Sequence, residues 1–247
     1  MTPSVAAGIE LPERESVLEL EAFGITAFTT TRDAGSFATH SDEPVREVMA
    51  RWDQLRASLH ALMPAAPPRF ATASQVHGTR IAEHDGAWEG WLRVSEADGH
   101  FAPRRGTAMA VTIADCVPIF IAHPEGAIAL LHSGWRGTAA RIIDRAFAAF
   151  SRQSHHAADL HVHLGPAICG KCYEVSADVA TALTGLPASG PQRIDLRALI
   201  AEHAREAGVT SITTSRWCTR CDNARFFSHR AGDAGRLLAV MLARVGQ

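Results

Sequence analysis

Three side chains able to ligate a metal or drive acid–base chemistry stand beside turn residues in this sequence: His77, Cys116 and His132. Two imidazoles and a thiolate suit zinc, and three protein ligands leave a fourth position open for water or substrate, as in catalytic zinc sites. Zinc there would hold Cys116 as thiolate and lower the pKa of a bound water to about 7. Cys116 with His132 also reads as a nucleophile and its general base, a metal-free hydrolase or amidase. Two His and a Cys are equally a blue-copper ligand set. In a chain with 13 histidines a plainer reading stays open, with His77 a loop donor and Cys116 a small buried apolar residue.

Two further groups could carry chemistry. Gly134-Trp135-Arg136-Gly137 stands directly before a predicted helix. Backbone N–H groups, a helix dipole and the Arg136 guanidinium there suit a phosphate or carboxylate, and the plain alternative is a tight strand-to-helix turn. The pairs Cys169/Cys172 and Cys218/Cys221 are each Cys-x-x-Cys, with 45 residues between them. A zinc knuckle has roughly 15–20, so these pairs can share a structural metal only if the fold brings them together. Otherwise they are separate reduced thiols or a redox disulfide. His161-Val162-His163 puts two rings on one face of a strand, too few for a multicopper centre, and an exposed edge is expected. Asp98 and Asp115 either orient a metal-bound histidine from behind or cap a turn.

The elements that must position these groups centre on Ala108 to Gly137. Its apolar runs, Ala108–Ile113, Val117–Ala122 and Ala127–Leu131, are short, rich in Val and Ile, and apolar on both alternating faces, as in strands covered on both sides. The second and third runs read as a hairpin turned at His123-Pro124-Glu125-Gly126. A three-residue loop, with Ala122 facing Gly126, sets Cys116 opposite His132. A four-residue loop sets Val117 there and turns the two side chains to opposite faces. The chemistry favours the first register.

Elsewhere Val17–Leu20 and Ile25–Thr31 read as a strand pair. A helix follows, capped by Ser41 or Asp42 with Pro44 in its first turn, and Val45, Val48, Met49, Trp52, Leu55, Leu59 and Leu62 facing inward. Arg69–Val76 and Ile81–His84 are strand candidates, with Trp88 and Trp91 assigned to loop packing. Thr138–Phe150, Ser176–Leu183 and Leu196–Ala207 read as helices, and Leu160–Leu164 and Ile212–Ser215 as strands. Leu237–Val245 fits either period. This mixture predicts one α/β domain with mixed sheets over residues 1–247.

Composition narrows the function. Of 247 residues, 47% are hydrophobic and 20% charged, which is ordinary for a globular protein with a substantial core. A net charge of −2, with no basic run beyond Arg104-Arg105, argues against nucleic-acid binding. The apolar runs fall short of the ~18–20 residues of a membrane span. The N-terminus lacks the basic and apolar regions of a signal peptide, so a cytoplasmic location is expected. Five cysteines, an odd number, point to metal or thiol chemistry over a closed disulfide framework.

Several segments together resemble the signature of the YfiH-type, laccase-domain family. They are Gln75–Gly78, Thr112–Pro118, His132–Gly137, Leu164–Ile168, Tyr173–Val175, Cys218-Thr219, Phe226–Arg230 and Gly235-Arg236. The family was once called multicopper polyphenol oxidase and is now described as purine nucleoside phosphorylase-like. The resemblance implies a layered α/β sandwich with mixed sheets, like the cytotoxic necrotising factor catalytic domain. It also implies zinc on His77, Cys116 and His132, with copper as the alternative metal. The implied activity is phosphorolysis of adenosine, inosine and methylthioadenosine, with some adenosine deamination, and peptidoglycan-precursor editing is a second family role.

Two features depart from the family pattern. The loop after Arg32 is shortened to Asp33-Ala34-Gly35-Ser36-Phe37 and lacks an Asn, and the set Cys169, Cys172 and Cys221 is not general in the family. The expected ligands are thus a purine nucleoside and phosphate, the latter held by Arg136 with Arg32 as a second candidate. A monomer or small homo-oligomer is expected.

Overall fold

The computed structural model describes residues 10–245 apart from 65 and 87. In chain order the strands are β1 (Arg14–Ser16), β2 (Ile25–Thr30), β3 (Arg69–Ala73), β4 (Ile81–Glu83), β5 (Gly90–Val94), β6 (Gly99–Ala102), β7 (Thr107–Ile113), β8 (Val117–Ala122), β9 (Ile128–Ser133), β10 (His161–Leu164), β11 (Glu174–Val175), β12 (Gln192–Arg193), β13 (Ser211–Thr214) and β14 (Leu237–Ala243). The α-helices are α1 (Val45–Ala61), α2 (Trp135–Ala139), α3 (Ile142–Arg152), α4 (Ala177–Thr184) and α5 (Leu196–Glu206).

Two six-stranded mixed sheets form the centre, one ordered β1-β2-β14-β7-β3-β5 and the other β13-β10-β8-β9-β6-β4. Strand alternation shows how they stack. In β14, Leu238, Val240 and Leu242 pack with Trp52, Leu55 and Leu59 of α1. Its other face, with Leu237, Ala239 and Met241, meets Phe120, Ala122, Ile128 and Leu130 of the second sheet. The outer face of that sheet, including Val117, Ile119, Ile121, Ala129 and Leu131, is covered by α3 through Ile143 and Phe147 and by α5 through Leu196 and Ile200. The result is a helix–sheet–sheet–helix sandwich in one domain. Both sheets are covered on both sides, which is why β8 and β14 are apolar at every position.

Several boundaries differ from the sequence expectation. Leu18–Phe23 is a 3-10 helix rather than a strand. Val17 and Leu20 are buried while Leu18 is 66% exposed, a spacing of three that matches the 3-10 repeat. Pro44 is the N-cap position of α1, with no side-chain cap, and Val45 is 57% exposed instead of inward. Trp91 lies in strand β5, stacked on Trp52 with ring centroids 5.0 Å apart. Strand β10 sits between β8 and β13, so His161 and His163 are not on an edge; their Nδ1 atoms lie 2.8 Å from the hydroxyls of Ser211 and Thr213. Leu237–Ala243 settles as a strand, fully buried at the centre of the first sheet.

The predicted helix Thr138–Phe150 is two helices. It begins earlier, at Trp135, and breaks between Ala139 and Ile142, where Arg141 has φ +54°. Residues in that left-handed conformation interrupt a right-handed helix.

The hairpin is also two residues out from the expected register. Ala122 pairs with Ile128 across a five-residue loop closed by His123 N–H to the Ala127 carbonyl, so Pro118 stands opposite His132. Pleat parity is set by multiples of two. The slip therefore keeps Cys116 on the His132 side, as a diagonal neighbour instead of a directly opposed one.

Candidate metal centre

Strand β7 belongs to the first sheet and β8 to the second. Ala114–Cys116 therefore carries the chain from one sheet to the other in three residues. The corner needs an unusual backbone: Asp115 has φ +83°, costly for a residue with a Cβ and kept only where the surroundings fix it. They do so here, because the Asp115 carboxylate accepts hydrogen bonds from the Thr219 hydroxyl at 2.6 Å and the Arg230 N–H at 2.7 Å. Cys116 is the next residue, half-buried at the start of β8.

His132 comes from the second-last position of β9 and is 4% exposed. Gly99 pairs with Leu131 in the β6–β9 ladder, which places Asp98 across from His132. The His132 N–H donates to the Asp98 carbonyl at 2.7 Å, and His132 Nδ1 lies 2.9 Å from Asp98 Oδ1. Asp98 is fully buried. Its carboxylate also accepts the backbone N–H groups of Val76, His77 and Gly78, at 3.1, 2.9 and 2.7 Å. One carboxylate thus fixes the ring of His132 and the loop that presents His77, itself at φ +60°. With Nδ1–H donating to Asp98, Nε2 is the nitrogen of His132 left to ligate once its proton is lost.

The three expected ligands converge. One ligand atom each from His77, Cys116 and His132 lies within 4.8 Å of the others, and the two imidazoles meet edge to face with centroids 4.8 Å apart. Zinc bonds of about 2.0–2.3 Å at tetrahedral angles put neighbouring ligand atoms roughly 3.3–3.8 Å apart, so the donor set fits an ion after small side-chain adjustments. Space is kept for it by Gly134, where a Cβ would stand 3.0 Å from Cys116 Sγ and 3.1 Å from His77 Cδ2. Gly134→Ala is expected to lower metal affinity about tenfold, at the mild end of the effect of disturbing a ligand's surroundings, with secondary structure unchanged. Competition with a chromophoric chelator measures it, and unchanged affinity would show that the glycine is not needed for room.

The electrostatics are those of a thiolate–imidazolium pair. Burial pushes the Cys116 thiol up, but the His132 charge and hydrogen bonds from His132 and His77 outweigh it and bring the thiol down to about 6. Burial pushes His132 down, yet the Cys116 charge and the Asp98 hydrogen bond raise it to about 9. Burial also opposes ionisation of Asp98, and His132 with the Gly78 and Val76 N–H groups overcomes this, holding it at about 2.

Of the two expected anion-binding residues, Arg136 is better placed. It is exposed in the first turn of α2, its guanidinium carbon 4.3 Å from the Trp135 ring centroid, and among the described residues it has no salt bridge. Because α2 spans only five residues, any anion there depends on the guanidinium more than on a helix dipole, which grows with aligned peptides. Arg32 is engaged elsewhere. Its Nε donates to the Asn223 carbonyl and one terminal nitrogen pairs with Asp233 at 2.8 Å, tying the shortened loop to the 223–233 segment.

Sequence reasoning did not single out Tyr173 and Arg230. The Tyr173 hydroxyl is raised by burial and then by the Cys116 charge, while Arg230 and Arg136 act against it, and the Arg230 guanidinium carbon stands 5.0 Å from the Tyr173 ring centroid. Both lie inside motifs that carry the family resemblance, but no spacing rule distinguishes them. A separate cleft of about 470 Å³ is lined by Trp52, Trp91, Gln75, Thr112 and Arg236, and the three converging ligands are not part of its wall.

Comparison with known proteins finds relatives along nearly the whole chain. A protein of Deinococcus radiodurans named purine nucleoside phosphorylase is 34% identical over 235 residues, 87% of each chain. The crystal structure of YlmD from Geobacillus stearothermophilus superposes with a TM-score of 0.76 at 28% identity, covering 91% of this chain and 94% of that one. The YfiH protein of Bacillus licheniformis shares the fold, with a TM-score of 0.81 at 24% identity over 96% and 98% of the two chains. Residues 28–244 match the sequence profile described as multi-copper polyphenol oxidoreductase laccase, and the chain belongs to this laccase-like, YfiH-type family.

Proposed function

We propose that this chain is a zinc-dependent purine nucleoside phosphorylase, converting adenosine, inosine or methylthioadenosine and phosphate to the free base and ribose 1-phosphate. The observation that carries the reading is the convergence of His77, Cys116 and His132 within 4.8 Å, in a chain with a relative of that name at 34% identity. His132 and Cys116 close the buried side of the site, and His77, the exposed member, marks its open side. Zinc held by these three residues would supply Lewis-acid chemistry. Arg136, exposed two residues after Gly134, would supply positive charge to orient a phosphate nucleophile and compensate its charge. Asp98 keeps the His132 ring in one tautomer and one orientation throughout.

The thiolate–imidazolium–carboxylate line of Cys116, His132 and Asp98 also fits a second reading, a cysteine hydrolase or amidase acting on peptidoglycan precursors. Chelation separates the two. Hypoxanthine release from inosine is expected to require phosphate, to vanish on chelation, and to return with added zinc. Activity that survives chelation, needs no phosphate and dies on alkylation would instead establish the hydrolase. Activity restored by copper alone, with intense visible colour, would point to copper chemistry.

Among the described residues no helix is long and apolar enough to cross a membrane.

A further inference from the structure

The two Cys-x-x-Cys pairs, 45 residues apart in the chain, meet in space. Strands β10 and β13 are parallel neighbours with Leu164 paired to Thr214, so the segments that follow them leave the same end of the sheet side by side. A parallel bridge between Ala167 and Cys218 extends the contact. As a result the sulfurs of Cys169, Cys172, Cys218 and Cys221 all lie within 4.8 Å of one another, with Cys172 and Cys221 3.4 Å apart. A tetrahedral ion with zinc–sulfur bonds of about 2.3 Å puts its sulfurs roughly 3.8 Å apart, inside this range. Two backbone donors point at one sulfur: the N–H groups of Cys169 and Cys221 reach Cys218 Sγ at 3.2 and 3.4 Å. Backbone donors of this kind complete the surroundings of a sulfur ligand. All four cysteines are free thiols.

We infer that Cys169, Cys172, Cys218 and Cys221 form a second metal site, a closed tetrathiolate that takes zinc for structural purposes. A four-sulfur set leaves no open corner, which distinguishes it from the three-ligand centre. It clamps the two segments that support that centre. Thr219, held between Cys218 and Cys221 in the chain, is one of the two donors that fix the strained Asp115 beside Cys116. Tyr173 follows Cys172 directly, and its N–H is bound to the Cys169 carbonyl at 3.0 Å. Zinc would therefore join the 167–173 and 215–222 segments where no disulfide does.

Metal analysis of the purified full chain tests this. Cys172→Ser and Cys221→Ser, which alter the two sulfurs joined by the short contact, are each expected to contain one zinc fewer per chain than the parent. The reading is a difference, so it is independent of whether the His77 centre carries zinc. Should either variant fail to fold, X-ray absorption at the zinc edge of the folded Cys116→Ser protein decides, with a predominantly sulfur shell at about 2.3 Å expected. Unchanged zinc in both variants, a zinc shell of nitrogen and oxygen only, iron in place of zinc, or a Cys172–Cys221 disulfide mapped in protein purified without oxidant would overturn the assignment.

Discussion

Cys116→Ser is expected to abolish phosphorolysis and to empty the metal centre while leaving the fold intact. A serine hydroxyl is ionised far less readily than this thiol, which His132 and His77 bring down to about 6, and a neutral hydroxyl is a poor zinc ligand. Only His77 and His132 would then remain of the set, too few to hold the ion and keep a defined vacancy. The side chain is half-buried at the start of β8, and the change removes little packing. Activity is expected to fall at least about a thousandfold, roughly 4 kcal/mol of transition-state stabilisation, with melting temperature little changed. His132→Ala should match it in metal loss. Retention of both metal and phosphate-dependent activity in the serine variant would remove the thiolate from the centre.

The second large effect is expected from Asp98→Asn. The carboxylate accepts three backbone N–H groups and faces His132 Nδ1 at 2.9 Å. An amide keeps one acceptor oxygen and turns an NH2 toward the rest. If the NH2 meets His132 Nδ1, the imidazole proton moves to Nε2, the nitrogen that would bind metal. If it meets the Val76–Gly78 segment, donors face donors and the His77 loop loosens.

Metal affinity is accordingly expected to drop about 10–100-fold. Unsatisfied buried donors would cost roughly 1–3 kcal/mol of stability as well. Asp98 acts through His132, so it is a positioning residue. Chelator competition alongside thermal melting discriminates: reduced stability with unaltered metal affinity would leave Asp98 as a loop staple only.

Much of the centre could be read from local sequence. Cys116 and His132 flank apolar runs short enough to be strands, and strand ends are where such runs deliver polar side chains. The covering of both sheet faces followed from the absence of polar alternation in Ala108–Ile113, Val117–Ala122 and Ala127–Leu131. The exact pairing did not follow. The hairpin loop took five residues, because the His123 N–H closes onto Ala127, and the expected thiol–imidazole pair became a diagonal one. The error was harmless because it was two residues and not one.

Other misses were of a different kind. Arg141 in a left-handed conformation split a helix whose apolar spacing gave no sign of a break. It is tied to Asp144 at 2.5 Å and to Glu206 of α5 at 2.8 Å, the latter partner 65 residues away. His161 and His163 alternate as an edge strand would, yet β13 covers that edge from about 50 residues downstream.

By itself the sequence determined which atoms were available: a thiol, two imidazoles and four paired cysteines, each next to a segment stiff enough to hold it. It determined those segments too, since β-branched alternation and helical spacing act over a few residues. Tertiary structure alone decided who meets whom. The crossing from β7 to β8 between sheets, the alignment of Asp98 with His132, and the parallel exit of β10 and β13 depend on pairing between distant strands. Such pairing is set by how whole faces bury against one another, a balance that no window of neighbouring residues contains.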